Sequence, residues 1–154
     1  MMRQLNLLGG KVDDCVFCRI ISGELPAHGV FEDETSVAFL DDRPLFIGHC
    51  LIVPRGHHQT LGDLPPEVVA PFFSNAQLLS RAVERAMKAE GTFLAINNRI
   101  SQSVPHLHVH IVPRRQGDGL KGFFWPRTRY KDEKGATEVQ TAIKRAVEEL
   151  KGTG

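Results

Sequence analysis

Three histidines alternate with apolar residues in His106-Leu107-His108-Val109-His110-Ile111-Val112, and a period of two marks a half-buried strand. In an extended chain His106, His108 and His110 share one face, while Leu107, Val109 and Ile111 pack the other. A face of imidazoles is poor packing material, because each ring needs partners for two nitrogens and titrates near neutrality. Two kinds of chemistry suit it. Neutral imidazole is a common metal ligand. Imidazole also attacks electrophiles such as phosphorus, with neighbouring groups orienting the ring and handling protons. Upstream, Cys15 and Cys18 in a C-x-x-C spacing supply half of a tetrahedral thiolate–imidazole site. The chain has 3 cysteines, an odd count that makes no disulfide framework and points to metal or redox chemistry.

These residues need elements to position them. Pro113 cannot donate to a sheet ladder and should close the histidine strand. Val16, Phe17, Ile20 and Ile21 recur at helical spacing, which predicts a short helix ended by Gly23. Gly29-Val30-Phe31-Glu32 and Ser36 to Asp41 flank Asp33-Glu34 as a hairpin. Gly48 to Pro54 is the next strand, and Thr92 to Asn97 another. Between Pro65 and Glu90 an apolar stripe runs through Val68, Phe72, Ala76, Leu79 and Val83, predicting one long helix. Asp63 is its expected N-cap, Gly91 its stop, and Pro71 either a kink or the true start. A second helix is expected over about Thr137 to Leu150, with an irregular basic stretch over 114–135 before it. Strands mixed with segregated helices predict an α+β single domain with an antiparallel sheet. Residues 1–13 read as a loose tail ahead of a domain over 14–154, with its core over 15–115 and a C-terminal segment over 116–154.

Composition narrows the function classes. A chain of 154 residues, 42% hydrophobic and 24% charged, suits one soluble domain with a real core. A formal net charge of +1 argues against bulk binding of nucleic acid or membrane. With no membrane-length apolar run and no signal-peptide pattern, a cytoplasmic location is expected.

The triad stretch resembles the mark of the histidine-triad (HIT) superfamily, and His106 to Val112 matches it at every position. Other stretches carry the likeness further: Cys15 to Pro26, Ala38-Phe39-Leu40-Asp41, Gly48 to Pro54, Asn97-Asn98 and Gln102-Ser103-Val104-Pro105. The resemblance implies a HIT-like fold with about five antiparallel strands, one long helix and a C-terminal helix, as a two-fold homodimer. It also implies cleavage at the α-phosphorus of a purine nucleotide through a nucleotidylated His108. His110 would stand by the scissile bond, and His49 would orient the histidine relay together with His106. Asp41 would take the ribose hydroxyls. Val16, Phe17, Ile20 and Phe39 would sandwich the base, with core packing the alternative use of these four. Asn97, Gln102 and Ser103 would reach the phosphates or the leaving group.

By the same resemblance, structural zinc would be held by Cys15, Cys18, His57 and His106, with His58 a rival to His57. Cys50 should turn away from His49 into the core. The chain departs from the family pattern at Asn98-Arg99-Ile100-Ser101-Gln102, which is shorter than the usual loop and lacks its glycine. Trp125, in the segment from Gly117 to Arg127, is a candidate to close over a second nucleotide or to serve as a dimer or core contact. Two classes of function remain open. One is a nucleotidyl hydrolase, acting on a dinucleoside polyphosphate (favoured by the stretch Pro113 to Asp118) or as a nucleoside phosphoramidase. The other is a non-catalytic nucleotide-binding sensor, which intact His108 and His110 disfavour.

Overall fold

Cys15 starts the first helix with its own sulfur: extended at its own backbone, it accepts the Cys18 N–H at 3.4 Å. That helix, α1, covers Val16–Ile21, and Gly23 follows it at φ +79°, a conformation glycine adopts without strain. The hairpin comes next, β1 over Gly29–Glu32 and β2 over Ser36–Leu40, its turn held by Asp33 Oδ1 accepting the N–H groups of Thr35 and Ser36. In this computed structural model residues 14–120 and 127–152 are described. They fall into two compact units divided after Asp118. The tail expected over 1–13 and the candidate Trp125 lie outside the described residues.

The first unit continues with β3 over Cys50–Pro54, a 3-10 turn over Leu61–Asp63, α2 over Pro66–Met87, β4 over Gly91–Ala95 and β5 over Val109–Arg114. The strands form one sheet in the order β1-β2-β3-β5-β4, with every neighbouring pair antiparallel. The fold is α+β, as the segregation of strands and helices predicts. Alternation along the strands splits the core in two. Ala38, Cys50, Ile52, Val109 and Ile111 face α2, where Phe72, Ala76, Leu79 and Val83 meet them. Phe39, Leu51 and Val53 face the other way, against Cys15 and Phe17 at the start of α1. β3 sits at the centre, buried along its whole length. Cys50 lies in the α2 layer, so His49 before it points to the α1 layer.

Several boundaries differ from expectation, each for a local reason. Asp63 does not cap α2. Its carboxylate reaches back to the N–H and hydroxyl of Thr60, closing the 3-10 turn, and Pro65 precedes the helix. Helix α2 runs unbroken through Pro71. It stops at Lys88 in the left-handed conformation, φ 51°, three residues before Gly91, which opens β4. Only His110 of the three histidines lies within β5. The ladder with β3 starts at Val109, because Leu107 N–H bonds to the carbonyl of His58 and the Pro54 carbonyl is taken by the His106 ring. The inward–outward alternation nevertheless holds back to His106, with Leu107 buried in the α2 layer.

The second unit contains α3, Glu133–Gly152, which begins four residues earlier than its apolar pattern suggests. Among the described residues no helix is long and apolar enough to cross a membrane.

Candidate functional site

The histidines lie on the α1 side of the sheet, and three backbone groups, with the contact between His49 and His110, fix which nitrogen of each ring carries hydrogen. Burial keeps the relevant rings neutral: loss of water, then repulsion by neighbouring rings, pushes His110 down to about 4, and burial above all pushes His106 down to about 4. His49 is also lowered by burial, against the pull of Asp41. In a neutral ring one nitrogen donates and the other accepts.

His108 Nδ1 lies 2.7 Å from the carbonyl of His106, so it holds the hydrogen and Nε2 keeps a lone pair. This is the form a nucleophilic imidazole needs. Leu45 N–H donates to His49 Nδ1 at 3.1 Å, so His49 carries its hydrogen on Nε2. That hydrogen points at His110 Nδ1, 3.0 Å away, which leaves His110 with an Nε2–H. A lone pair on His108 thus neighbours an N–H donor on His110, with the two ring centres 5.0 Å apart. Phe17 walls the pair from the α1 side, its ring edge-on to His108 at 5.1 Å. A buried ring to attack and a half-buried one to donate suit displacement at an anionic centre such as phosphorus.

His106 is turned to another task. Its Nε2 donates to the carbonyl of Pro54 at 2.9 Å, so the Nδ1 lone pair faces Cys15 Sγ and Cys18 Sγ, each at 3.5 Å. His57 Nδ1 lies 3.2 Å from Cys18 Sγ. The four donor atoms of Cys15, Cys18, His57 and His106 all fall within 4.8 Å of one another. Ligands around one tetrahedral zinc ion stand about 3.3–3.8 Å apart, so the donor set fits zinc in both chemistry and spacing. His57, not His58, belongs to this cluster. Cys18 is pushed up to about 12, first by burial and then by Cys15. A bound metal reverses that tendency, because a coordinated thiol is deprotonated.

Asp41, His49 and His110 form a second close group of potential ligands. The Asp41 carboxylate lies 3.5 Å from His49 Nε2, and its other oxygen accepts the Arg43 N–H at 2.9 Å.

The remaining sequence-predicted residues are placed unevenly. Phe39 is 3% exposed and Phe17 6%, and the two rings stack edge to face in the α1 layer. Val16, 38% exposed, and half-buried Ile20 keep surface that a base could cover. Gln102 is engaged at both ends, accepting Arg99 N–H and donating to the Gln59 carbonyl, so it clips the loop around Arg99 and Ser101. Those two residues stand at φ 69° and 59°, which is how the chain turns here without a glycine. Ser103 is exposed on the segment entering the triad, and Asn97 is half-buried just beyond β4. The backbone groups of Leu45, Pro54 and His106 that select the tautomers carry no signature in residue type or spacing. Sequence gave no sign of the Leu45 contact.

Comparison with known proteins identifies the family. The HIT domain family matches residues 22–117. Adenylylsulfatase HINT3 of Arabidopsis thaliana is 37% identical over 149 residues, covering 88% of this chain and 74% of that protein. Adenosine 5'-monophosphoramidase HNT1 of Saccharomyces cerevisiae is 36% identical over 114 residues, covering 73% and 70%. A zinc-bound histidine triad family protein from Mycobacterium smegmatis superposes with a TM-score of 0.67 at 37% identity, covering 88% of this chain and 97% of that one. Triad, sheet and sequence likeness over most of the length lead to one assignment: the chain belongs to the HIT domain family.

Proposed function

We propose that this protein is a nucleotide hydrolase that cleaves at the α-phosphorus through a nucleotidyl-histidine on His108. The observation that carries the reading is the tautomer of His108, whose Nδ1 hydrogen is held by the His106 carbonyl at 2.7 Å while Nε2 keeps its lone pair. Attack by Nε2 forms a nitrogen–phosphorus bond as the leaving group departs. Water then attacks the same phosphorus, and the electron pair returns to His108. The Nε2–H of His110 supplies hydrogen bonding to the charge that develops, which is most of what phosphoryl-type transfer requires of a protein. Val16 and Ile20 offer apolar surface to the base. Asn97 and Ser103 are the polar groups left to meet phosphate, because both ends of Gln102 are held by backbone.

Two leaving-group classes are in play. The stretch from Pro113 to Asp118 favours a dinucleoside polyphosphate by its sequence, but its charges have structural partners: Arg114 pairs with Asp118, and Arg115 donates to the Met87 carbonyl. The relatives named adenylylsulfatase and adenosine monophosphoramidase favour a small group on an adenylate. Zinc held by Cys15, Cys18, His57 and His106 would tie α1, the exit of β3 and the triad segment together. It would act structurally, with His106 as the link to the reacting strand. The working form on this reading is a cytoplasmic homodimer.

The test is AMP release from adenosine phosphoramidate, adenylyl sulfate and diadenosine tetraphosphate, measured for the protein and its His108→Ala variant at matched zinc content. Turnover of at least one substrate should fall more than about a thousandfold in the variant. Binding of AMP without any turnover above the variant's background would favour the sensor reading.

A further inference from the structure

The C-x-x-C spacing suits redox chemistry as well as metal binding, and the two sulfurs are placed for both. Cys15 caps α1 and Cys18 lies one turn on, its N–H donating to Cys15 Sγ at 3.4 Å. The sulfurs fall within 4.8 Å of each other, and a C-x-x-C pair at the start of a helix is a spacing that disulfides span. All three cysteines are free thiols here. Cys50 cannot compete for either partner, because it lies in the α2 layer while Cys15 and Cys18 lie in the α1 layer. Access orders the pair. Cys15 is 6% exposed and Cys18 is half-buried, so a small oxidant meets Cys18 first and Cys15 stands behind it.

Two contacts join this pair to the reacting strand. Phe17, between the cysteines in sequence, stands edge-on to His108 at 5.1 Å and to His106 at 5.9 Å. His106 turns Nδ1 to both sulfurs, each at 3.5 Å, while its carbonyl accepts the Nδ1–H of His108 at 2.7 Å. The residue that would hold zinc by its ring thus holds the nucleophile by its backbone.

We propose that Cys15 and Cys18 are a redox switch: a hydroperoxide oxidises Cys18, the pair closes to a disulfide, and loss of both thiolates empties the zinc site and disturbs His108. The switch acts on the zinc site and the hydrolase proposed above, and so rests on those readings. Zinc, when bound, keeps the sulfurs as thiolates, the form that attacks. Cys18 Sγ attacks one oxygen of the hydroperoxide, the O–O bond breaks, and the other oxygen leaves to be protonated as water or an alcohol. Sulfur has given two electrons to the peroxide and become a sulfenic acid. Cys15 Sγ then attacks Cys18 Sγ, the S–O bond breaks, and hydroxide leaves to be protonated as water. His57 and His106 remain, which is half of a tetrahedral donor set. A dithiol returns two electrons by exchange and restores both sulfurs. In a reducing compartment such a disulfide is transient, which suits a switch rather than a staple.

The rival is a zinc site whose thiolates are inert and purely structural. To separate the two, the zinc-loaded full chain is treated with hydrogen peroxide and then with a dithiol plus zinc. Zinc release is read with a chromogenic chelator, disulfide content by peptide mass, and activity as AMP release from adenosine phosphoramidate. Dimedone added during oxidation marks the sulfur that reacts first. The switch predicts about one zinc released per Cys15–Cys18 disulfide, a dimedone label on Cys18, and reversal by dithiol with zinc. AMP release should fall more than about tenfold on oxidation and return on reduction. Zinc retained while a disulfide forms, Cys18 passing to sulfinic acid with no disulfide, a first label on Cys15, or full AMP release after zinc has left would each overturn the switch. AMP release by the reduced protein would leave the hydrolase reading standing in all four cases. A reduced protein that cleaves nothing would sink the hydrolase and the link to His108, while disulfide and zinc release would still be read. A chain that takes up no zinc would sink the zinc reading and the switch together.

Discussion

Leu45 N–H, the Pro54 carbonyl and the His106 carbonyl each hold one imidazole nitrogen, and through them the backbone assigns three histidines three different duties. His106 turns a lone pair to the cysteines, His108 keeps one on Nε2, and His49 donates a hydrogen bond to His110. Neutrality of the rings underlies this division, and it has a cost in acid. His110 titrates at about 4 in the folded chain against 6.5 ordinarily, and His49 is lowered too. As pH falls from 6.5 towards 4 the unfolded chain binds protons at these rings that the native state refuses, so stability falls with falling pH across that window. Urea denaturation at about pH 7 and about pH 5 should show this loss, and His110→Gln should lose measurably less over the same interval. An identical pH dependence in the variant would contradict the assignment. Residue type and spacing made His106, His108, His110, Cys15 and Cys18 legible in the sequence. The tautomers were not, because they depend on carbonyls and N–H groups that any residue can offer.

At the scale of elements, the segment 98–102 shows how a departure from a family pattern is absorbed. Without glycine, Arg99 and Ser101 adopt left-handed backbone, and Gln102 holds the turn by bonding Arg99 N–H and the Gln59 carbonyl. Gln102→Leu removes both bonds, leaving the exposed Arg99 N–H to water and the part-buried Gln59 carbonyl without this donor. It should lower stability by about 1–3 kcal/mol, read as a shift in urea midpoint without a change in slope. A variant as stable as the parent would mean that water replaces the clip. The elements themselves were mostly legible. The hairpin, β3 and the stripe of α2 follow from periodicity, since apolar alternation and the 3.6-residue repeat reflect the layers they pack into. Their ends were less so. Lys88 accepted a conformation usually left to glycine, and Asp63 found a closer partner in Thr60 than in the helix it was expected to cap.

For the whole molecule, the sheet has two edges. The β1 edge is interrupted by a register shift between Gly29 and Phe31, which protects it from further pairing. The β4 edge has a regular ladder to β5 and an exposed Leu94, 41% accessible, so it is the edge open to a second copy. In the proposed homodimer, with this edge as the interface, Leu94→Lys should shift sedimentation from dimer to monomer, and an unchanged profile would place the interface elsewhere. The cysteine–histidine cluster links α1 to both central strands. Stripping metal with a chelator should lower the melting temperature and speed amide exchange in α1 first, with zinc restoring both. No response in a chain that held zinc would mean the cluster is thiol packing.

The central claim is that His108 becomes covalently bound to the nucleotide. Mixing the protein with adenosine phosphoramidate, quenching within the first turnover under conditions that spare phosphorus–nitrogen bonds, and measuring peptide masses tests it most directly. The account predicts one added adenylyl group on the peptide containing His108, appearing before AMP and absent from His108→Ala. AMP release at full rate with no such adduct, or with the adduct on another histidine, would contradict it.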